Sequence, residues 1–180
     1  MAFAAIVGWY LLAYAILHPL ANAPVADSWL YGEAARFFRE TGRIRFAGFT
    51  DAMPVAQVIY GAVWALFFGA GSISLEISEV ALGAVAALVF FAMARRCGAQ
   101  PSQALLATGM MVCNPCYLFL SFSFMTEIPF LAALIAVHWA FARAEGDREL
   151  PRLWLAAALS VIAFLVRPFA GAAILGCIGA

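Results

Sequence analysis

Three stretches of this chain, residues 1–26, 52–75 and 97–126, contain no Asp, Glu, Lys or Arg. An uncharged apolar run of about 18 or more residues is the signature of a helix whose solvent is lipid. Further apolar runs at 80–94, 128–142 and 153–166 are shorter. They still suffice to cross when flanking Arg and Glu side chains reach back to the interface. The composition agrees, with 66% hydrophobic and 11% charged residues, against roughly 45–50% and 25% in soluble domains. The expected fold is therefore all-α, a polytopic membrane helix bundle with apolar segments at about 2–17, 55–69, 75–94, 102–120, 128–142 and 152–166. Residues 1–180 read as a single transmembrane domain. The first segment lacks a basic leader and a small-x-small cleavage site, so it reads as a retained helix. The last residues, "PFAGAAILGCIGA", form an apolar run that has barely begun. The expectation is that the chain is the N-terminal portion of a longer protein.

One segment breaks this pattern. "VADSWLYGEAARFFRETGRI", residues 25–44, carries Asp27, Glu33, Arg36, Arg39, Glu40 and Arg43. Pro24 and Asp27 mark a helix start and Gly42 its stop. Glu33, Arg36 and Glu40 fall on one stripe with favourable opposite-sign neighbours. Leu30, Ala34, Phe37 and Phe38 form the opposing apolar stripe, with Trp29 beside it. Such a helix is built to lie in the plane of a membrane interface. The first loop, residues 18–54, thus places a structured, charged element on the membrane surface.

The formal net charge is zero, so the chain carries no electrostatic footprint for nucleic acid. All ten basic residues are Arg. Of the four cysteines, Cys113 and Cys116 stand at CxxC spacing around Asn114-Pro115. No second ligand pair accompanies them, so the motif reads as small, apolar Cys in a Pro-bent helix rather than as redox or zinc chemistry.

Two topologies fit the charges. If every segment crosses, Asp27 and Glu127 face opposite compartments and the Arg-bearing loops share one side. If 55–69 and 75–94 together make one net crossing, Asp27 and Glu127 share the outer face. Arg95, Arg96 and the Arg143–Arg152 loop then lie inside, as the positive-inside rule prefers.

Two acidic residues are candidates for chemistry. Asp27 reads either as an N-cap, its carboxylate occupied by backbone N–H groups, or as a reactive group at membrane-interface depth. Glu127, in "SFSFMTEIPFLAAL", reads either as a first-turn complement to a helix dipole or as a functional carboxylate, since acids at span ends are costly unless solvated or paired. Asp51 suits a turn, His18 an interfacial position, His138 helix packing, and Trp9, Tyr10 and Trp154 aromatic belts.

The order of "ADSWLYGEAARFFRETGRI", "DAMPVAQVIYGAVWALFFGAG", "ALGAVAALVFFAMARRCG", "NPCYLFLSFSFMTEIPFLAALIAVHWAFAR" and "LVRP" resembles the N-terminal half of the integral-membrane GT-C glycosyltransferases. That superfamily includes the protein O-mannosyltransferases and lipid A aminoarabinose transferases. The resemblance implies transfer of a sugar from a polyprenyl-phosphate-linked donor to a lipid, glycan or protein acceptor. The implied location is the outer face of a bacterial inner membrane. Asp27 and Tyr31 match the pattern of the catalytic acid in the first outer loop, although Ser28 stands where many relatives have Glu. By position, Glu127 matches a second acidic motif that positions a divalent metal or the donor phosphate. Arg43 and Arg45, with Arg167 as a further candidate, match the basic residues that contact the lipid phosphate.

A polytopic transporter with Glu127 and Arg167 lining a polar pathway is the competing reading. A third is a membrane scaffold whose charged helix docks a partner.

Overall fold

A computed structural model describes residues 2–20, 26–46, 54–141 and 149–171. Pro24, Asp51, Arg143, Arg148 and Cys177 lie outside the described residues. Those that are described form eight helices and no strand. They are α1 (Ala2–Leu17), α2 (Ser28–Thr41), α3 (Val55–Phe68), α4 (Ser72–Arg96), α5 (Pro101–Val112), α6 (Pro115–Ser121), α7 (Glu127–Phe141) and α8 (Glu149–Val166). The fold is all-α, as the apolar runs require.

Among the described residues, only α4 is by itself long and apolar enough to cross a membrane. α5 and α6 pass the same test as a pair but bend by 68° at their junction. The sequence reads 102–120 as one continuous segment, and the structure breaks it. Pro115 cannot continue the ladder of α5, and Asn114 Oδ1 accepts from the N–H groups of Cys116 (2.9 Å) and Tyr117 (3.3 Å) to start α6 afresh. Cys113 and Cys116 are exposed free thiols, so CNPC serves here as a helix break.

α4 organises the rest. α1 crosses it through a polar thread: Tyr10 Oη lies 3.1 Å from Ser121 Oγ, and Tyr117 Oη donates to Gly83 O at 2.7 Å. Trp9 Nε1 donates to Val112 O at 3.1 Å. Trp9 and Tyr10 are thus tied into the core rather than placed in an aromatic belt. α7 runs parallel to α4, from Glu127, within electrostatic reach of Glu79, to Trp139, whose ring lies 4.6 Å from the Arg96 guanidinium carbon. α8 returns antiparallel and packs Ala163 against Ala133 of α7, small residues that let backbones approach.

α3 pairs with only the first half of α4. Trp64 Nε1 donates to Ser74 Oγ, Tyr60 Oη to Ser78 O, and Gln57 Nε2 to Glu79 Oε1. This hairpin leaves the second half of α4, towards Arg95 and Arg96, to pack against α1 and α7 instead. The contacts bring the start of α3, the first half of α4 and the start of α7 together. Gln57, Glu79, Glu127 and Arg167 gather at one end of the bundle, while Arg96 and Trp139 mark the other.

α2 closes the first end. Gly42 adopts φ 67 and caps the helix through Phe38 O, a left-handed conformation that suits glycine. Its buried face is Leu30, Tyr31, Ala34 and Ala35, while Phe37 and Phe38 are half-buried. The apolar stripe is therefore turned towards α3 and Phe124, and the helix rests on protein. The contact is tight at Gly61. A Cβ there would stand 2.5 Å from Phe124 Cζ and 3.1 Å from Ala35 Cβ. Gly61→Ala is expected to destabilise by about 1–3 kcal/mol through overpacking, read as a lower thermal midpoint in detergent, with Phe124→Leu restoring part of the loss.

Large apolar side chains face outward on most helices, among them Phe67 (77% exposed), Leu106 (67%), Met110 (71%) and Trp154 (70%). A soluble monomer rarely presents so much contiguous apolar surface.

Candidate active site

Asp27 stands immediately before α2. Its backbone carbonyl accepts from the N–H groups of Leu30 (3.0 Å) and Tyr31 (3.2 Å), but its side chain makes no capping hydrogen bond. The N-cap reading of the carboxylate therefore fails. Asp27 is exposed, and Ala26 before it is held at φ 47. That left-handed conformation costs a residue with a β-carbon about 1–2 kcal/mol, and such strain tends to collect at functional sites.

Glu127 occupies the first turn of α7 and is bound. Arg167 Nη2 lies 2.5 Å from Glu127 Oε1, and Arg167 Nε donates to Thr126 Oγ1 at 2.7 Å. One guanidinium thus fastens the end of α8 to the start of α7. Beside it, Gln57 Nε2 donates to Glu79 Oε1 (2.8 Å) and to Met125 O (3.4 Å). These bonds fix the amide so that its oxygen faces away from them. Three buried oxygens are left without a hydrogen-bond partner: Gln57 Oε1, Glu79 Oε2 and Glu127 Oε2. Unpartnered buried acceptors cost free energy, and hard oxygens of this kind are the donors that Mg²⁺, Mn²⁺ or Ca²⁺ take. Among the described residues no three His, Cys, Asp or Glu side chains gather; the donor set is two carboxylates and an amide oxygen.

A polar cavity of about 120 Å³ lies beside the start of α2. Ser28, Trp29, Glu33 and Arg36 of α2 wall one side, Glu76 of α4 another, and Phe124 the floor. Arg36 pairs with Glu33 and donates to Ala70 O at 2.7 Å. Since Ser28 and Phe124 share the cavity, Asp27 and Glu127 belong to the same end of the molecule. A second, mostly apolar groove between Met110, Tyr117, Leu120 and Leu131 reaches Glu127 from the side.

Arg43 and Arg45 lie past the far end of α2, about 20 Å from Asp27 at 1.5 Å per residue. Both are exposed, and the Arg45 guanidinium stands 5.9 Å from the Phe37 ring centroid. Arg36, on α2 itself, is nearer to Asp27. His18 is exposed at φ 45. His138 is also exposed rather than packed inside, with Nδ1 2.7 Å from Leu134 O. Sequence reasoning passed over Glu76 and Glu79, although two acids three residues apart at the head of a long apolar segment are the intramembrane-charge signal.

A family model described as dolichyl-phosphate-mannose-protein mannosyltransferase matches residues 51–179. The chain belongs to that family. No curated protein and no solved structure matches it. Members of the family are integral membrane glycosyltransferases that use a lipid-linked sugar, and this chain is one of them. The match begins after α2, so the helix that Asp27 heads lies outside it.

Proposed function

We propose that the chain transfers a sugar from a polyprenyl-phosphate donor to an acceptor hydroxyl on the outer face of a bacterial inner membrane, with Asp27 as general base. The observation that carries this reading is the exposed Asp27 carboxylate, held by a strained turn yet free of any capping bond, at the end of the bundle that bears Glu127. Arg95, Arg96 and Arg152 belong to the opposite end, which supports an outer location for Asp27.

In this reaction the acceptor oxygen attacks the anomeric carbon while its proton passes to the Asp27 carboxylate. The bond between that carbon and the phosphate oxygen breaks, and the lipid phosphate departs with the electron pair. Inversion at the anomeric carbon requires base and leaving group on opposite faces. Charge on the departing phosphate calls for cations at the interface. Glu127, Glu79 and Gln57 Oε1 would hold a divalent ion, which when bound supplies that charge. Arg43 and Arg45, past the far end of α2, stand too far from Asp27 to meet the departing phosphate, and the apolar groove beside Glu127 fits the lipid chain.

The test is a transfer assay on the full-length protein in membranes, with radiolabelled polyprenyl-phosphate mannose. Labelled glycoconjugate and free lipid phosphate are expected together. Solute flux dependent on Glu127 without a covalent product would overturn the reading in favour of a transporter.

A further inference from the structure

The end of the bundle opposite Asp27 carries a cation without a counter-charge. α4 has 25 residues, about 37 Å at 1.5 Å per residue, against a hydrocarbon layer of about 30 Å. Its last turn, with Arg95 and Arg96, therefore stands at a headgroup layer. The fold uses the two arginines differently. Arg95 is exposed and turns back over the helix end, donating from Nη1 to Ala99 O at 2.6 Å. Arg96 is half-buried, with its guanidinium carbon 4.6 Å from the centroid of the Trp139 ring. Among the described residues no carboxylate lies within ion-pair distance of Arg96, and its Nη1 is buried without an acceptor.

A cation–π contact fixes the position of a guanidinium without neutralising it. A half-buried charge without a counter-ion is costly, so the group that completes Arg96 comes from outside the bundle. With Nη1 buried, the edge left to meet it is Nε–Nη2, a fork that takes two oxygens of one phosphate. The exposed Arg95, and Arg152 near the start of α8, add positive field at this end, which favours a headgroup of net negative charge. Leu106 of α5 and Leu150 and Trp154 of α8 present exposed apolar surface here. Acyl chains cover such surface, and a soluble phosphate does not. We infer that Arg96, braced by Trp139, binds the phosphate of an anionic phospholipid in the leaflet opposite Asp27. Because the site lies at the other end of the bundle, it stands independently of the transferase reading.

The test uses full-length protein in detergent, with dioleoyl-phosphatidylglycerol, dioleoyl-phosphatidylcholine and inorganic phosphate as probes. Thermal midpoint reads the effect of binding on the fold, and native mass spectrometry counts retained lipid independently of stability. Saturable stabilisation by phosphatidylglycerol is expected, with phosphatidylcholine acting weakly and inorganic phosphate not at all. Arg96→Gln should need about fivefold more phosphatidylglycerol for half its effect, the weight of one basic residue at an anionic surface. Arg96→Lys keeps the charge but loses the fork, and should fall between the two. Trp139→Leu should weaken binding because the guanidinium loses its brace. Arg95→Gln should matter less, since that guanidinium is already engaged with Ala99 O. An equal response to both lipids, or an unchanged titration in Arg96→Gln, overturns the site. The Arg96 charge would then serve the chain itself, through the helix dipole or the carboxylates between α7 and α8. A loss from Arg95→Gln as large as that from Arg96→Gln would mean diffuse surface charge and overturns it likewise. Stabilisation by inorganic phosphate equal to that by phosphatidylglycerol overturns the lipid as its ligand.

Discussion

Asp27→Asn in the full-length protein is expected to lower transfer by about 10²–10⁴-fold, the usual contribution of a positioned general base. The loss should fall on kcat, because the amide keeps the shape of the carboxylate and removes only its ability to take a proton. Stability should barely change. The carboxylate makes no hydrogen bond across the start of α2, so its one structural role is to complement the helix dipole, worth about 0.3–1 kcal/mol at an exposed site. A structural cap would behave in the opposite way, losing stability and keeping activity. Thermal midpoint and initial rate measured on the same preparation therefore separate the two roles. Full transfer by a normally folded Asp27→Asn protein would remove Asp27 from the chemistry and direct attention to Asp51 in the same loop.

Most of the fold was legible because its signals are local. Uncharged runs gave the helices, and Gly42 gave the end of α2 because a left-handed C-cap is a property of one residue. The end of α2 could be read; the direction of its buried face could not. That face is fixed by Tyr31 and Ala35 meeting Leu75 and Phe124, contacts between residues some 40 to 90 positions apart that no periodicity records. The pairing of α3 with the first half of α4 was hidden for the same reason. It depends on Gln57 meeting Glu79, and a buried polar pair has no sequence signature beyond its two members. At the candidate site, Asp27 and Glu127 were visible because each interrupts apolar sequence near a helix start. Glu76 and Glu79 were overlooked because they sit at the edge of an apolar run, where an acid is easily taken for a solvated helix end. Burial turned them into candidates, and burial is a tertiary fact.

The second large effect concerns Arg167. Its guanidinium serves Glu127 Oε1 and Thr126 Oγ1 at once, at a point where Glu127 lies close enough for its charge to act on Glu79. Arg167→Met keeps the length and apolar stem of the side chain but leaves two neighbouring carboxylates with no cation. Breaking a buried ion pair from one side costs about 3–5 kcal/mol. Both partners here keep 30% side-chain exposure, so about 2–3 kcal/mol is expected. In a chain of this size that is a fall in thermal midpoint on the order of 5–10 °C. Glu127→Gln should cost less, since the amide oxygen can still accept from Arg167 and the repulsion of Glu79 disappears. The double variant should recover part of the Arg167→Met loss, because removing the second charge removes the penalty of leaving it unpaired. Strict additivity would show instead that the pair is held together by its surroundings. Added Mg²⁺ or Mn²⁺ offers an independent check. If Glu79, Glu127 and Gln57 Oε1 bind a divalent ion, Arg167→Met should gain more thermal stability from it than the parent protein, since the ion then supplies the charge that the guanidinium no longer does. Equal gains in both would mean that the three bare oxygens do not act as one site.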